Sequence, residues 1–168
     1  MASRYPGGTN SRNVTMKYKQ PILWAALCLA VGMAAGALQA DSLKEWYPYL
    51  NKPGLTPPDW AFPVAWTILY VLMGFSIGLA RNSSHPGRKA LTGVFLAQLA
   101  VNFLWSMAFF VMRSPAARLG LISVLFLLLL IYAWKSRPIN RISAYLFVPY
   151  ILWVGFAWYL NFSIFLQN

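Results

Sequence analysis

Residues 61–80 read AFPVAWTILYVLMGFSIGLA, twenty consecutive positions without a charged side chain. A helix rises about 1.5 Å per residue, so a run of this length crosses the roughly 30 Å hydrocarbon core of a bilayer. The run lacks the strict apolar–polar alternation of a strand in a membrane barrel. Four similar stretches surround it. PILWAALCLAVGMAAGALQA (21–40) precedes it, and residues 90–112, 115–134 and 142–166 follow. The fourth gains its length by reaching back to Pro115, with Arg118 expected to snorkel towards the headgroups. The sequence therefore predicts an all-α membrane protein, a bundle of five transmembrane helices with the lipid bilayer as its solvent.

Composition agrees. Of 168 residues, 59% are hydrophobic and 10% charged, whereas soluble domains carry about 25% charge. The net charge of +11 does not point to nucleic acid, because the basic residues flank the apolar runs instead of gathering on one domain. Residues 1–20 form a basic tail, and its Gly, Ser, Asn and Thr predict disorder over about the first 15 positions. The first apolar run is long for the h-region of a cleaved signal. Ten Lys and Arg fall in the tail and in loops two and four, against four (Lys44, Lys52, Arg113 and Arg118) on the other side. The positive-inside rule then predicts a cytoplasmic N-terminus, with loop one and the C-terminus opposite.

Conventional catalysis finds few parts. Cys28 is the single cysteine and His85, in the polar stretch RNSSHPGRK, the single histidine. The three acids, Asp41, Glu45 and Asp59, all fall in loop one. A zinc site needs about four ligands and a Ser/His/Asp triad a buried His with a carboxylate partner; neither set is available, and no metal or cofactor is implied. The spans carry no mid-membrane charge of the kind coupled carriers use.

The helices carry two kinds of pattern. Small residues at four-residue spacing, Gly32 and Gly36, Gly74 and Gly78, Gly93 and Ala97, permit close helix contact within one chain or between two. Gly93, Ala97 and Ala100 make span three the expected seam of a homodimer. Polar residues form stripes: Gln98, Asn102 and Ser106 on span three, and Trp153, Ala157 and Asn161 on span five, while Trp66, Tyr70 and Met73 share a face of span two. Buried amides are costly unless satisfied, so the stripes are expected to face inward, as glue between helices or as the lining of a cavity. Trp24 and Trp134, near span ends, fit an interfacial belt. Loop one, 41–60, has Pro48, Pro53, Pro57 and Pro58, with Pro63 opening span two. A loop stiffened in this way loses little entropy on ordering. Its Trp46, Tyr47, Tyr49, Leu50, Leu55 and Trp60 are expected to fold back as a lid over the bundle.

The segment WYPYLNKPGLTPPDWAFPVAWTILYVLMG (46–74), with NFLWSMAFF in span three and VPYILWVGFAWYLN in span five, resembles the signature of the TspO/MBR family. That family, the tryptophan-rich sensory proteins, includes the mitochondrial translocator protein, also called the peripheral benzodiazepine receptor. The resemblance covers roughly residues 21–166. It implies a five-helix membrane protein, often a homodimer, that binds porphyrins such as protoporphyrin IX and haem, sterols, and benzodiazepine-type ligands. By motif position it implies ligand contacts at Trp46, Tyr47, Trp66, Asn102, Trp105, Trp153, Phe156 and Asn161. Some bacterial members promote light-dependent porphyrin breakdown, for which the resemblance points to Trp66 and Trp153. The chain departs from the animal sterol-recognition pattern, because no Lys or Arg follows Tyr159. Three functions stay open: a porphyrin receptor or carrier, a porphyrin-degrading enzyme, and a secondary transporter. A bacterial membrane is the expected location.

Overall fold

The computed structural model describes residues 11–45, 49, 53–110 and 115–167. Six helices account for nearly all of them: α1 (Ser11–Glu45), α2 (Ala61–Arg81), α3 (Arg88–Phe110), α4 (Pro115–Ser136), α5 (Arg141–Leu146) and α6 (Val148–Gln167). Among the described residues there is no strand. Five segments are long and apolar enough to cross a membrane, the fifth formed by α5 and α6 together. The protein is an integral multi-pass membrane protein, as its apolar runs require.

Three boundaries differ from the sequence reading. Helix α1 already includes Ser11, so residues 11–20 belong to the helix that carries the first span and not to a disordered tail. No Gly or Pro interrupts 11–20, and extending an existing helix avoids the cost of nucleation. The same helix runs on to Glu45, five residues past the expected end of the first span. The fifth span breaks at Phe147. Pro149 has no N–H to continue the ladder; Phe147 N instead bonds Ala144 O at 3.2 Å, and Ile151 N resumes the regular spacing on Phe147 O at 3.0 Å.

The helices form a closed ring. α1 packs along α2 and on α3, α3 on α4, α4 on α6, and α5 closes against α2. The seam of α1 and α2 is the tightest. A Cβ at Gly74 would overlap the backbone of Ala25, and one at Gly78 the backbone of Pro21. This glycine pair thus serves packing within the chain. Gly93 faces open space, and with Ala97 and Ala100 it lies on the exposed side of α3.

Arg118 departs from expectation. Its side chain is 2% exposed, in register with the buried stripe Ile122, Leu125, Leu129 and Tyr132. Helix periodicity turns position 118 towards the bundle, so the side chain cannot reach the headgroups along the lipid face. Trp134 is 73% exposed, as an interfacial residue should be. Trp24 is half-buried: its ring meets Phe95 edge-on at 5.5 Å, and the Arg81 guanidinium lies 5.5 Å from its centroid.

Candidate functional site

The two ends of the bundle are filled differently. Towards loops two and four, aromatic rings occupy the centre. Tyr132 and Phe147 stack at 3.9 Å, with Phe95 at 5.9 Å from Tyr132 and Tyr150 at 5.6 Å from Phe147. Ser76 Oγ donates to the Ser143 carbonyl at 2.8 Å and lies 2.9 Å from both Tyr132 OH and Ser143 Oγ. Every hydroxyl in that cluster has a partner, which is what makes its burial affordable.

Towards loop one the centre is hollow. A cavity of about 490 Å³ lies between α1, α2, α3 and α6, within the range typical of small-molecule sites. Each helix supplies one face at helical spacing. Leu29, Gly32, Met33, Gly36 and Gln39 come from α1, and Phe62, Trp66, Thr67 and Tyr70 from α2. Asn102, Trp105 and Ser106 come from α3, and Ala157, Leu160, Asn161 and Ile164 from α6. The hollow has a simple cause: small residues on α1 and α6 (Ala35, Gly36 and Ala157) face large rings on α2 and α3, while Gly32 lets the Tyr70 ring lie against α1.

Trp66 is the hub of the aromatic wall. Its ring lies 5.7 Å from Tyr70 and 5.9 Å from Trp105, tilted by 34° and 36°, and 6.0 Å from Tyr150 at 73°. These separations fall in the attractive range for aromatic pairs. Polar groups beside the wall are mostly engaged. Asn102 Oδ1 accepts from Tyr70 OH at 3.3 Å while its Nδ2 donates to Tyr150 OH. Ser106 Oγ donates to Gln39 Oε1 at 2.8 Å. Asn161 Nδ2 donates to Ala157 O at 2.7 Å. Gln98, deeper on the α3 stripe, is fully buried with Nε2 3.8 Å from Met73 Sδ. The stripe is therefore both glue and lining: Gln98 and Asn102 tie helices together, and Asn102 and Ser106 also border the cavity.

Of the residues expected to meet a ligand, Trp66, Asn102, Trp105 and Asn161 come together on this one cavity. Trp153 and Phe156 do not line it. Trp153 packs at 6.0 Å against Phe62, whose ring does, and Phe156 lies beyond it at 6.1 Å. Trp153 faces the bundle but stands one ring removed. Trp46 and Tyr47 lie outside the described residues, as do Leu50 and Lys52. The lid expected of loop one takes a different form in its described part. Tyr49 is 85% and Trp60 69% exposed, with Leu55 also outward, whereas Thr56 and Asp59 border the cavity. Thr56 is folded inward by its own turn, its N and Oγ1 both donating to Pro53 O at 2.9 and 2.7 Å. Outward rings at a span end suit the headgroup layer.

Gln39, Thr56 and Asp59 are not among the site residues expected from the sequence; of the glycine pair expected to serve packing, Gly32 does pack, against the Tyr70 ring, whereas Gly36 opens onto the cavity. One signal was present: Gly32, Gly36 and Gln39 share a face of α1.

Comparison with known proteins agrees with this architecture. The model of the TspO/MBR family matches residues 24–166. The tryptophan-rich protein TspO of Chlorobaculum tepidum is 37% identical over 148 residues, covering 87% of this chain and 94% of that protein. The tryptophan-rich protein TspO of Archaeoglobus fulgidus is 36% identical over 145 residues, covering 83% and 91%. The translocator protein of Homo sapiens is 28% identical over 159 residues, covering 88% and 90%.

Proposed function

The chain belongs to the TspO/MBR family, and from that premise we propose that it is a membrane receptor or carrier for porphyrins, protoporphyrin IX and haem among them. The observation that carries the reading is the wall of Trp66, Tyr70 and Trp105 on a cavity of about 490 Å³. A flat, largely apolar macrocycle offers two faces to such rings, and Asn102, Ser106 and Gln39 supply polar contacts at its edge. Sterols and benzodiazepine-type molecules share the flat apolar character and are secondary ligands in this reading. In the membrane the N-terminus is cytoplasmic and loop one, with the cavity mouth, is on the opposite side of a bacterial membrane. Two copies associate through the exposed small-residue face of α3 at Gly93, Ala97 and Ala100.

Titration of the purified protein with protoporphyrin IX, read by quenching of tryptophan emission, tests the site. Each good aromatic contact contributes about 0.5–1.5 kcal/mol beyond area burial, so Trp66→Phe and Trp105→Phe should each weaken binding by about 2- to 12-fold. Trp134→Phe, on the lipid side at the far end, should leave the midpoint unchanged. Unchanged midpoints in W66F and W105F would remove the assignment.

Light-dependent porphyrin degradation, with Trp66 and Trp153 as redox partners of the excited ligand, draws less support. Only Trp66 of that pair lines the cavity. Illumination of the protoporphyrin complex, followed for a new bilin-like absorption, separates this reading from simple binding.

A further inference from the structure

The end of the bundle away from the cavity carries a second concave surface. Where α4 turns into α5, Arg137, Pro138, Ile139, Asn140, Arg141 and Tyr145 wall an open cleft of about 610 Å³. Its backbone is held from within. Ile139 N and Asn140 N both donate to Ser136 O, at 3.0 and 2.8 Å. Asn140 Oδ1 accepts from Ser143 N at 3.0 Å, and Ser143 is tied into the buried cluster of Ser76 and Tyr132. Gly87 of loop two lies alongside, close enough that a Cβ there would come within 3.5 Å of Ile139 Cδ1. The scaffold is fixed while Arg137, Arg141 and Tyr145 project from it, exposed.

Among the described residues these guanidinium groups have no counter-charge from the chain. Asp41, Glu45 and Asp59, its only acidic side chains, all lie at the loop-one end. Among the described residues, Arg137 and Arg141 form no ion pair. The cleft also sits at the edge of the apolar region: one span ends at Ser136 and the next begins at Arg141. Trp134 and Ile142 beside it are 73% and 62% exposed, and Lys135 Nζ lies 5.9 Å from the Trp134 ring centroid. An exposed indole and isoleucine flanked by cations belong at headgroup depth.

We propose that this cleft binds the phosphate of an anionic phospholipid headgroup. Arg137 and Arg141 present planar forks of N–H donors that match phosphate oxygens, and the Tyr145 hydroxyl adds a third donor. A rigid backbone lowers the cost of ordering the site. Free phosphate shares the oxyanion chemistry; the apolar flank favours the lipid. The proposal does not depend on what fills the cavity.

Native mass spectrometry of the full chain in detergent tests it. The chain is titrated with phosphatidylglycerol, with phosphatidylcholine of the same acyl chains, and with inorganic phosphate. One phosphatidylglycerol should be retained in preference to phosphatidylcholine. Its apparent affinity should fall by on the order of tenfold in R137Q/R141Q and severalfold in Y145F, which keeps both charges. R88Q/K89Q removes two cations from the same face outside the cleft and should change it by less than about twofold. All these side chains are exposed, and thermal melts verify that the variants fold. Equal losses in the two double variants would mean undirected surface charge and would overturn the site. Undiminished binding in R137Q/R141Q would overturn it as well. Displacement of the lipid by millimolar inorganic phosphate would overturn the lipid as ligand and assign the cleft to a soluble anion.

Discussion

Replacing Gly74 with alanine asks how close α1 and α2 must be. A methyl group there would overlap Cα and N of Ala25, and these are backbone atoms that cannot rotate aside. The two helices must separate to admit it. Overpacking a filled contact costs about 1–3 kcal/mol, and an obstruction by backbone belongs at the upper end. Alanine's better helix propensity offsets about 1 kcal/mol of that. The net loss of about 2 kcal/mol corresponds to a fall in Tm of about 4–8 °C for a chain of this size. Ligand affinity should fall in parallel, because Leu29, Gly32, Gly36 and Gln39 on α1 form one wall of the cavity. Gly120→Ala is the matched control: open space surrounds that position, so only the propensity gain remains. Thermal unfolding in detergent, followed by tryptophan emission, compares the two. A Tm for G74A equal to that of G120A would show that the seam has slack and would refute the account of the packing.

Three further outcomes are expected. Asn102→Leu removes the partner of Tyr70 OH and Tyr150 OH, the second in a fully buried residue; it should cost about 1–2 kcal/mol, seen as a lower Tm, and no change would mean the amide is dispensable glue. Gly36→Leu fills the hollow without meeting any atom at its Cβ, so it should weaken protoporphyrin binding at least about tenfold while stability changes by less than about 1 kcal/mol; intact binding in the titration would place the ligand elsewhere. A reporter fused after Asn168 should be active only on the non-cytoplasmic side, and a cytoplasmic signal would invert the orientation.

Five spans were legible because bilayer thickness sets a length that uncharged runs either meet or miss. The inward turn of Gln98, Asn102 and Ser106 was legible for a similar reason: burial in lipid leaves an amide stripe few places to go. The glycine pairs were not separable. Gly78 and Gly36 occupy equivalent places in the same four-residue motif, yet one abuts a backbone and the other opens onto a cavity. What differs is the residue facing them from another helix, and one-dimensional spacing carries no such information. The break at Phe147 hid behind hydropathy, which runs unbroken through Pro149. Arg118 was misread because a charge near a span end usually finds water along its stem, and only helical phase turns it inward.

The contrast between the two ends of the bundle has a functional consequence. Near loops two and four, stacked rings and closed hydroxyl bonds leave little room for rearrangement, so that half acts as a fixed base. Near loop one, Trp66 keeps one edge against Tyr150 of that base and another face towards the cavity. A ligand stacking on Trp66 would thus press on a ring already anchored to Tyr150, and through the Asn102 amide on the contact between α3 and α6. Motion caused by binding should then be concentrated in residues 29–39 of α1, which face the cavity beyond the Trp24–Phe95 contact that pins this helix to the base. Trp153, held behind Phe62, would sense occupancy only if the Phe62 ring moved. Its emission is therefore the more discriminating reporter. In a variant keeping Trp153 as its sole tryptophan, a spectral shift on binding of a colourless flat ligand would mark displacement of Phe62. Absence of any shift at saturation would mean that the wall between them is rigid.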